Sequence, residues 1–181
     1  HLSIRRQRQM CIRDRGISML KLNFFIKAVC RGDAALRHVS LTFDDGPDPE
    51  VTPYILKILE KHGIKAAFFP IGEKAKKHPE IIKEIDRQGH ILGNHSYRHA
   101  WWTNFLIGGP LEREIGKAQE TIKAIIGKVP AYFRPPMGLS NPHLPKKLRK
   151  HGLSVLGWDI RPFDTRASNE KVKKRVLNKV R

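Results

Sequence analysis

Apolar positions along the chain switch repeatedly between a two-residue and a helical period. The segment His38–Phe43 (HVSLTF) is apolar and β-branched and predicts a strand, followed by a turn-rich stretch at Asp44–Pro49. In Thr52–His62, Ile55, Leu56, Ile58 and Leu59 fall at helical spacing, and Gly63 supplies the stop. Ala66–Ile71 predicts a second strand. Glu73–Gln88 predicts a single helix with Ile81, Ile82 and Ile85 on one face, closed by Gly89. His90–Gly93 reads as a short strand, Leu111–Ile126 as a long amphipathic helix ending at Gly127, and Ala131–Arg134 as another strand. A basic helix at His143–His151 ends at Gly152. Leu153–Asp159 is a buried strand, and Asn169–Val180 is a final helix.

Alternating strands and helices imply a parallel sheet covered by helices, either an open doubly wound sheet or a barrel. Neither a Gly-x-Gly-x-x-Gly nor a Gly-x4-Gly-Lys-Ser/Thr sequence follows the first strand, which removes support for the nucleotide-binding version. The pattern starts only at about residue 38. Residues 1–15 show no periodicity, and Met10-Cys11-Ile12-Arg13-Asp14 resembles a translated sequencing-library adapter, a scar outside the fold. Residues 17–29 form a weak apolar run broken by Lys21 and Lys27. The run is too short and too charged to span a membrane and lacks a clear cleavage site, and is expected to pack as an amphipathic helix or an edge segment. The chain thus divides into an extension, 1–37, and one domain, 38–181.

The 181 residues suffice for one sizeable core. The formal charge of +18 is spread over both parts, with nine basic against two acidic residues in 1–38. It reads chiefly as a solvated basic surface, with an anionic partner such as an acidic cell-wall polymer as the alternative. No interleaving of aromatic and basic residues points to nucleic acid. Cys11 and Cys30 are too few for a disulfide framework or a zinc ribbon, and neither is assigned a role.

Unusual polar residues gather just after the strands: Asp44-Asp45, His95 and His99, Arg134, then Asp159, Arg161 and Asp164. In parallel α/β architectures these strand ends share one rim, where sites are built. His95-Ser96-Tyr97-Arg98-His99 is a His-x3-His pair, which a helical turn would place on one face for a shared metal. Alone, the spacing is weak, and His62, His78, His143 and His151 read as surface residues. Two adjacent carboxylates before Gly46-Pro47 exceed what turn chemistry needs. Two His and one Asp leave open metal positions, as in catalytic zinc and also in non-haem iron sites. The second Asp can then take a proton from water, with Arg134 holding its charge.

Thr42-Phe43-Asp44-Asp45-Gly46-Pro47, His95-Ser96-x-x-His99 and Arg134-Pro135-Pro136-x-Gly138 closely resemble three successive motifs of the polysaccharide deacetylases, the NodB-homology or carbohydrate esterase 4 group. The resemblance implies a distorted (β/α) barrel, incomplete at its C-terminal end. It implies hydrolysis of N-acetyl, sometimes O-acetyl, groups on an acetylated amino-sugar polymer or oligosaccharide. Asp44 would be the base. Asp45, His95 and His99 would bind a divalent metal, zinc first, with cobalt or another divalent ion as alternatives. Arg134 would orient Asp44, and the Met137 N–H, beside Pro136, would stabilise the oxyanion. Trp158 would line the groove, and Asp164 would tune the catalytic acid. The resemblance favours an extracytoplasmic or envelope location and a monomer.

The chain departs from the family pattern in places. Met137 replaces a usual Tyr, Thr165 a frequent Trp and Arg161 a common Asp. No Leu-x-His follows residue 164, so the general acid of the family is expected to lie beyond this chain. The readings that compete with a deacetylase are a catalytically weak glycan-binding or wall-associated protein and an amidohydrolase acting on a non-sugar amide.

Overall fold

The computed structural model describes residues 18–19, 25–33, 35–36, 38–100, 106, 108–160, 162 and 168–180. Eight short strands are found there: β1 (Ser18–Met19), β2 (Ala28–Val29), β3 (Thr42–Asp44), β4 (Ala67–Phe69), β5 (Ile91–Leu92), β6 (Tyr132–Phe133), β7 (Leu139–Ser140) and β8 (Ser154–Leu156). The helices are α1 (Val51–Lys61), α2 (Gly72–Lys77), α3 (Pro79–Arg87), α4 (Gly108–Ile126), α5 (Leu144–Lys150) and α6 (Asn169–Leu177).

The strands β3-β4-β5 form one parallel sheet and β2-β8-β6 another. A parallel bridge between Asn94 and Phe133 joins them, with the Asn94 N–H donating to Tyr132 O (2.8 Å) and the Arg134 N–H to Asn94 O (3.0 Å). The effective order is therefore β3-β4-β5-β6-β8-β2. Three strand spacings separate β3 from β6, about 14 Å in a flat sheet. Yet Arg134, at the end of β6, donates to Thr42 Oγ1 on β3 at 2.8 Å. An arginine cannot bridge a flat sheet over that distance, so the sheet curls around the guanidinium. The expected barrel-like α/β architecture follows from this curl.

The outer face carries two apolar clusters. Leu56 and Leu59 of α1, Ala75 of α2 and Ile81, Ile82 and Ile85 of α3 pack on Phe68 and Leu92. Leu111 and Ile115 of α4 and Leu144 and Leu148 of α5 pack on Ala28, Phe133 and Val155. Fully buried rings such as Phe133 each contribute about 1.5–3 kcal/mol. No residue of α6 is buried.

One helix expectation changes. Glu73–Gln88 is not one helix: α2 ends at Lys77 and α3 begins at Pro79, with His78 at φ −129°, ψ 60°. Proline lacks the N–H a continuing helix needs and disfavours helical geometry in the preceding residue, while it suits the first position of a new helix. The run 17–29, expected as an amphipathic helix or an edge segment, supplies two short strands among its described residues. There β1 pairs antiparallel with β7 and β2 parallel with β8. Several predicted strands are also longer than those observed. The stretch from His38 to Leu41, for instance, lies outside β3, although Leu41 O still accepts the Ala67 N–H. Among the described residues no helix is long and apolar enough to cross a membrane.

Candidate active site

The C-terminal ends of β3, β5, β6 and β8 carry Asp44-Asp45, His95-His99, Arg134 and Trp158, on the one rim that parallel strands share. The curl of the sheet closes that rim into a site. Asp45 Oδ1 lies 3.4 Å from His95 Nε2 and 3.2 Å from His99 Nε2. One ligand atom from each of the three falls within 4.8 Å of the others. His95 is buried, and its Nδ1 stands 2.7 Å from Arg134 O. A carbonyl only accepts, so Nδ1 carries the proton and Nε2 presents its lone pair to the Asp45 carboxylate. Acceptors converging on one another are unfavourable unless a cation sits among them. The donor set therefore fits a divalent metal, and its N/N/O composition with open positions suits zinc.

When the imidazoles are protonated they pair with Asp45 instead of presenting lone pairs to it. The carboxyl of Asp45 is held below its ordinary range, chiefly by contact with the His95 imidazole. Burial opposes that shift, and the charges of His95, His99 and Lys74 reinforce it. Burial also lowers the His99 imidazole, with the neighbouring His95 adding to the effect. Each shift favours the form that ligates, carboxylate at Asp45 and neutral imidazole at His99.

The His-x3-His spacing works by a route other than the expected helical turn. Residues 95–99 form a bend, with Ser96 at φ 66° and His99 at φ 53°. Local side-chain bonds replace helical ones: Asn94 Oδ1 accepts the Ser96 N–H (2.9 Å), and Ser96 Oγ accepts the His99 N–H (3.2 Å). The carbonyls of Ser96 and Tyr97, which a helix would use internally, accept instead from the N–H groups of Gly72 (3.0 Å) and Glu73 (2.8 Å) at the start of α2.

Arg134 is 1% exposed and makes all its bonds inside the curled sheet. Nη1 donates to Asp44 Oδ1 (2.7 Å) as well as to Thr42, Nε to Leu156 O (3.1 Å) and Nη2 to Gly157 O (2.8 Å). Its guanidinium lies over the rings of Phe69 (4.1 Å) and Trp158 (5.3 Å). Asp44 is thus fixed through one oxygen by a cation that has no freedom of its own. Pro136, Met137 and Gly138 form a 3-10 turn just beyond, with Met137 at φ 57°. Trp158 packs so closely on Gly138 that a Cβ there would lie 2.5 Å from its ring. Arg161, Asp164 and Thr165 lie outside the described residues. Asp159, at the same rim, pairs with Arg31 at 2.8 Å.

A family model described as polysaccharide deacetylase matches residues 31–156. The chain belongs to the polysaccharide deacetylase family. It is 37% identical over 126 residues to a peptidoglycan-N-acetylglucosamine deacetylase of Bacillus cereus, an alignment covering 70% of this chain and 46% of the relative. It is 35% identical over 130 residues to a chitooligosaccharide deacetylase of Azorhizobium caulinodans, covering 71% of this chain and 61% of the relative. Among solved structures it resembles a mutant of BA3943, a Bacillus anthracis CE4 family pseudoenzyme, with restored enzymatic activity. The TM-score is 0.78 at 29% identity, over 84% of this chain and 56% of that one. The chain spans about half the length of the curated relatives it matches.

Sequence reasoning missed several residues that build this polysaccharide deacetylase rim. Asn94 is fully buried and also donates to Ile115 O and Gln119 Oε1, tying the His95 bend to α4. A lone Asn at the end of an apolar strand was the available signal. Thr42 lies two positions before Asp44, and strand alternation places both on the face where Arg134 arrives. Lys74, whose Nζ donates to Asp45 O (2.9 Å), had no sequence signal at all. His151, read as a surface residue, is half-buried against Gly116, because α5 packs against α4.

Proposed function

We propose that this chain carries out metal-dependent hydrolysis of acetyl groups on an amino-sugar polymer or oligosaccharide, with N-acetyl as the primary target. The observation that carries the reading is the pairing of two features on one rim: three converging ligand atoms and, next to them, a carboxylate fixed by a buried arginine. Bound divalent metal, zinc by preference, lowers the pKa of water to roughly 7 and polarises an acyl oxygen.

The protein's own residues supply the rest. Asp45, His95 and His99 hold the metal. Asp44 removes the proton of the attacking water through Oδ2, since Oδ1 is engaged by Arg134. Arg134 keeps that carboxylate aimed and charged. The Met137 N–H donates to the oxyanion that develops as the acetyl carbon becomes tetrahedral; the C–N bond then breaks, the amine leaving with the proton that Asp44 has taken up and acetate being released. Trp158 lines the sugar-binding side, and Asp164, which lies outside the described residues, is assigned by the family resemblance to tuning the catalytic acid. Envelope glycan is the expected substrate, in keeping with the peptidoglycan and chitooligosaccharide names of the relatives, and the compartment is extracytoplasmic.

The test is acetate release from N-acetylated chitooligosaccharide and from peptidoglycan, by the zinc-loaded chain and by Asp44→Asn. Removal of a general base predicts a loss of roughly 10²–10⁴-fold, with zinc affinity retained. Equal rates for the two proteins would end the reading of Asp44 as base. Glycan binding by both proteins that persists in chelator, with no acetate released, would favour a binding module.

A further inference from the structure

We propose that Lys74 is a positioning residue of the Asp45–His95–His99 site: its ammonium holds the Asp45 peptide in the turn that aims the carboxylate at the two imidazoles. The inference rests on the metal-site reading above. Asp45 adopts φ 67°, a left-handed conformation that a non-glycine residue keeps only when its surroundings enforce it. Two bonds from one short segment provide that enforcement. The Ile71 N–H donates to Gly46 O (2.9 Å), and Lys74 Nζ donates to Asp45 O (2.9 Å). They fix successive carbonyls directly after the Asp45 side chain.

The same segment secures the histidine side of the site. Gly72 and Glu73 donate their N–H groups to Ser96 O and Tyr97 O, between the two imidazoles. Gly72 sits so tightly that a Cβ would lie 2.6 Å from the Tyr97 ring and 3.0 Å from the Ala118 backbone, and Ala75 is fully buried. The first turn of α2 is therefore a rigid bracket that grips both ligand loops. Three of its four grips are backbone amides. Lys74 supplies the fourth from an exposed side chain, which makes it the one that substitution removes without disturbing the core.

Positioning and plain electrostatics predict opposite signs. A nearby ammonium repels a divalent cation, so deleting its charge alone would tighten metal binding. If the hydrogen bond to Asp45 O is what matters, deletion weakens binding. Outer contacts of metal ligands typically cost 10–100-fold in affinity when removed, and an exposed one belongs at the low end, about tenfold.

The experiment titrates zinc into the full chain and into Lys74→Met, Lys74→Arg and the same-helix control Lys76→Met, by calorimetry with a competing chelator. Amide hydrogen exchange at residues 45 and 46 is followed in the metal-free proteins. The expected result is a zinc Kd raised about tenfold in Lys74→Met, recovered in large part by Lys74→Arg and unchanged in Lys76→Met, with faster exchange at 45 and 46 in Lys74→Met alone. Unchanged or tighter zinc binding by Lys74→Met, or unchanged exchange, overturns the proposal. If the wild type binds no zinc, the metal-site reading fails, and the exchange measurement still decides whether Lys74 holds the Asp45 turn.

Discussion

The two ends of the curled sheet use the same backbone conformation for opposite purposes. At the end where helices hand over to strands, left-handed positions are glycines. Gly63 (φ 63°) closes α1, with its N–H on Glu60 O and the Ile64 N–H on Leu59 O, and Gly127 (φ 73°) closes α4. This is ordinary helix termination, and glycine does it without steric cost. At the opposite rim every left-handed non-glycine among the described residues is found: Asp45, Ser96, His99 and Met137. Each is a residue of the candidate site or of the bend that shapes it. The chain avoids backbone strain where only a turn is needed and accepts it where a particular side chain or N–H must be aimed.

Accepting strain requires surroundings that enforce it, and Arg134 is the largest single part of them. Its guanidinium joins β3, β6 and the end of β8, and pairs with Asp44. Removing the buried guanidinium leaves the Leu156 and Gly157 carbonyls without their donor, at a cost of roughly 1–3 kcal/mol each, and leaves the partly exposed Asp44 carboxylate unpaired. Arg134→Met should therefore lower the urea midpoint sharply in metal-free protein. A variant that unfolds like wild type would mean that the rim does not depend on this arginine.

A smaller and more direct test exchanges the two kinds of position. Gly63→Ala meets no atom within 4 Å, so its effect is conformational, roughly 1–2 kcal/mol of left-handed strain. The melting temperature should fall by about 2–4 °C per kcal/mol for a domain of this size. His99→Gly should do the reverse. In chelator it melts no lower than wild type, because released strain offsets lost packing, while zinc affinity collapses with the ligand. A melting temperature for His99→Gly well below that of wild type in chelator would show that the His99 backbone is not strained and would remove the contrast.

The sequence makes one side of this comparison legible and not the other. Glycines after periodic helices predicted Gly63, Gly89, Gly127 and Gly152 as stops, and among the polar residues after strands Asp44 meets Arg134 and Asp45 meets His95 and His99. Alternating periods also gave the parallel α/β architecture. What stayed hidden depends on contacts between segments distant in the chain. The bend at His95–His99 is invisible because a His-x3-His spacing fits a helix as well as a bend. Choosing between them takes Asn94 and the first turn of α2, which arrive from elsewhere. The curl of the sheet is likewise a property of Arg134 reaching Thr42, some ninety positions away. The break at His78-Pro79 was readable from the proline, and the strong apolar face of Ile81, Ile82 and Ile85 masked it.

Both ends should lose stability through the histidine window as pH falls, and the rim alone should show a further loss through the carboxylate window, the smallest of the expected effects. At the glycine end, His90 is 6% exposed, its ring tilted against Phe68 at 5.3 Å and its Nδ1 accepting the Ala66 N–H at 3.3 Å. Burial, aided by the charge of Lys65, lowers its pKa below the ordinary 6.5. Between 6.5 and that lowered value the unfolded chain takes up a proton that the folded chain refuses, so stability falls as pH falls through this window and then levels off. His99, at the rim, has the same sign. Asp45, also at the rim, has a carboxyl lowered from 3.8; its contribution is intact above that value and is lost as pH falls through the lower folded one. Urea midpoints measured in chelator from about pH 7.5 to about pH 5 should therefore decline in wild type and decline less steeply in His90→Gln, whose amide does not titrate. The two proteins should still share the later loss below the carboxylate range. A His90→Gln curve as steep as that of wild type would show that His90 takes up its proton equally in the folded and unfolded chains, and only the rim would then be sensitive to pH.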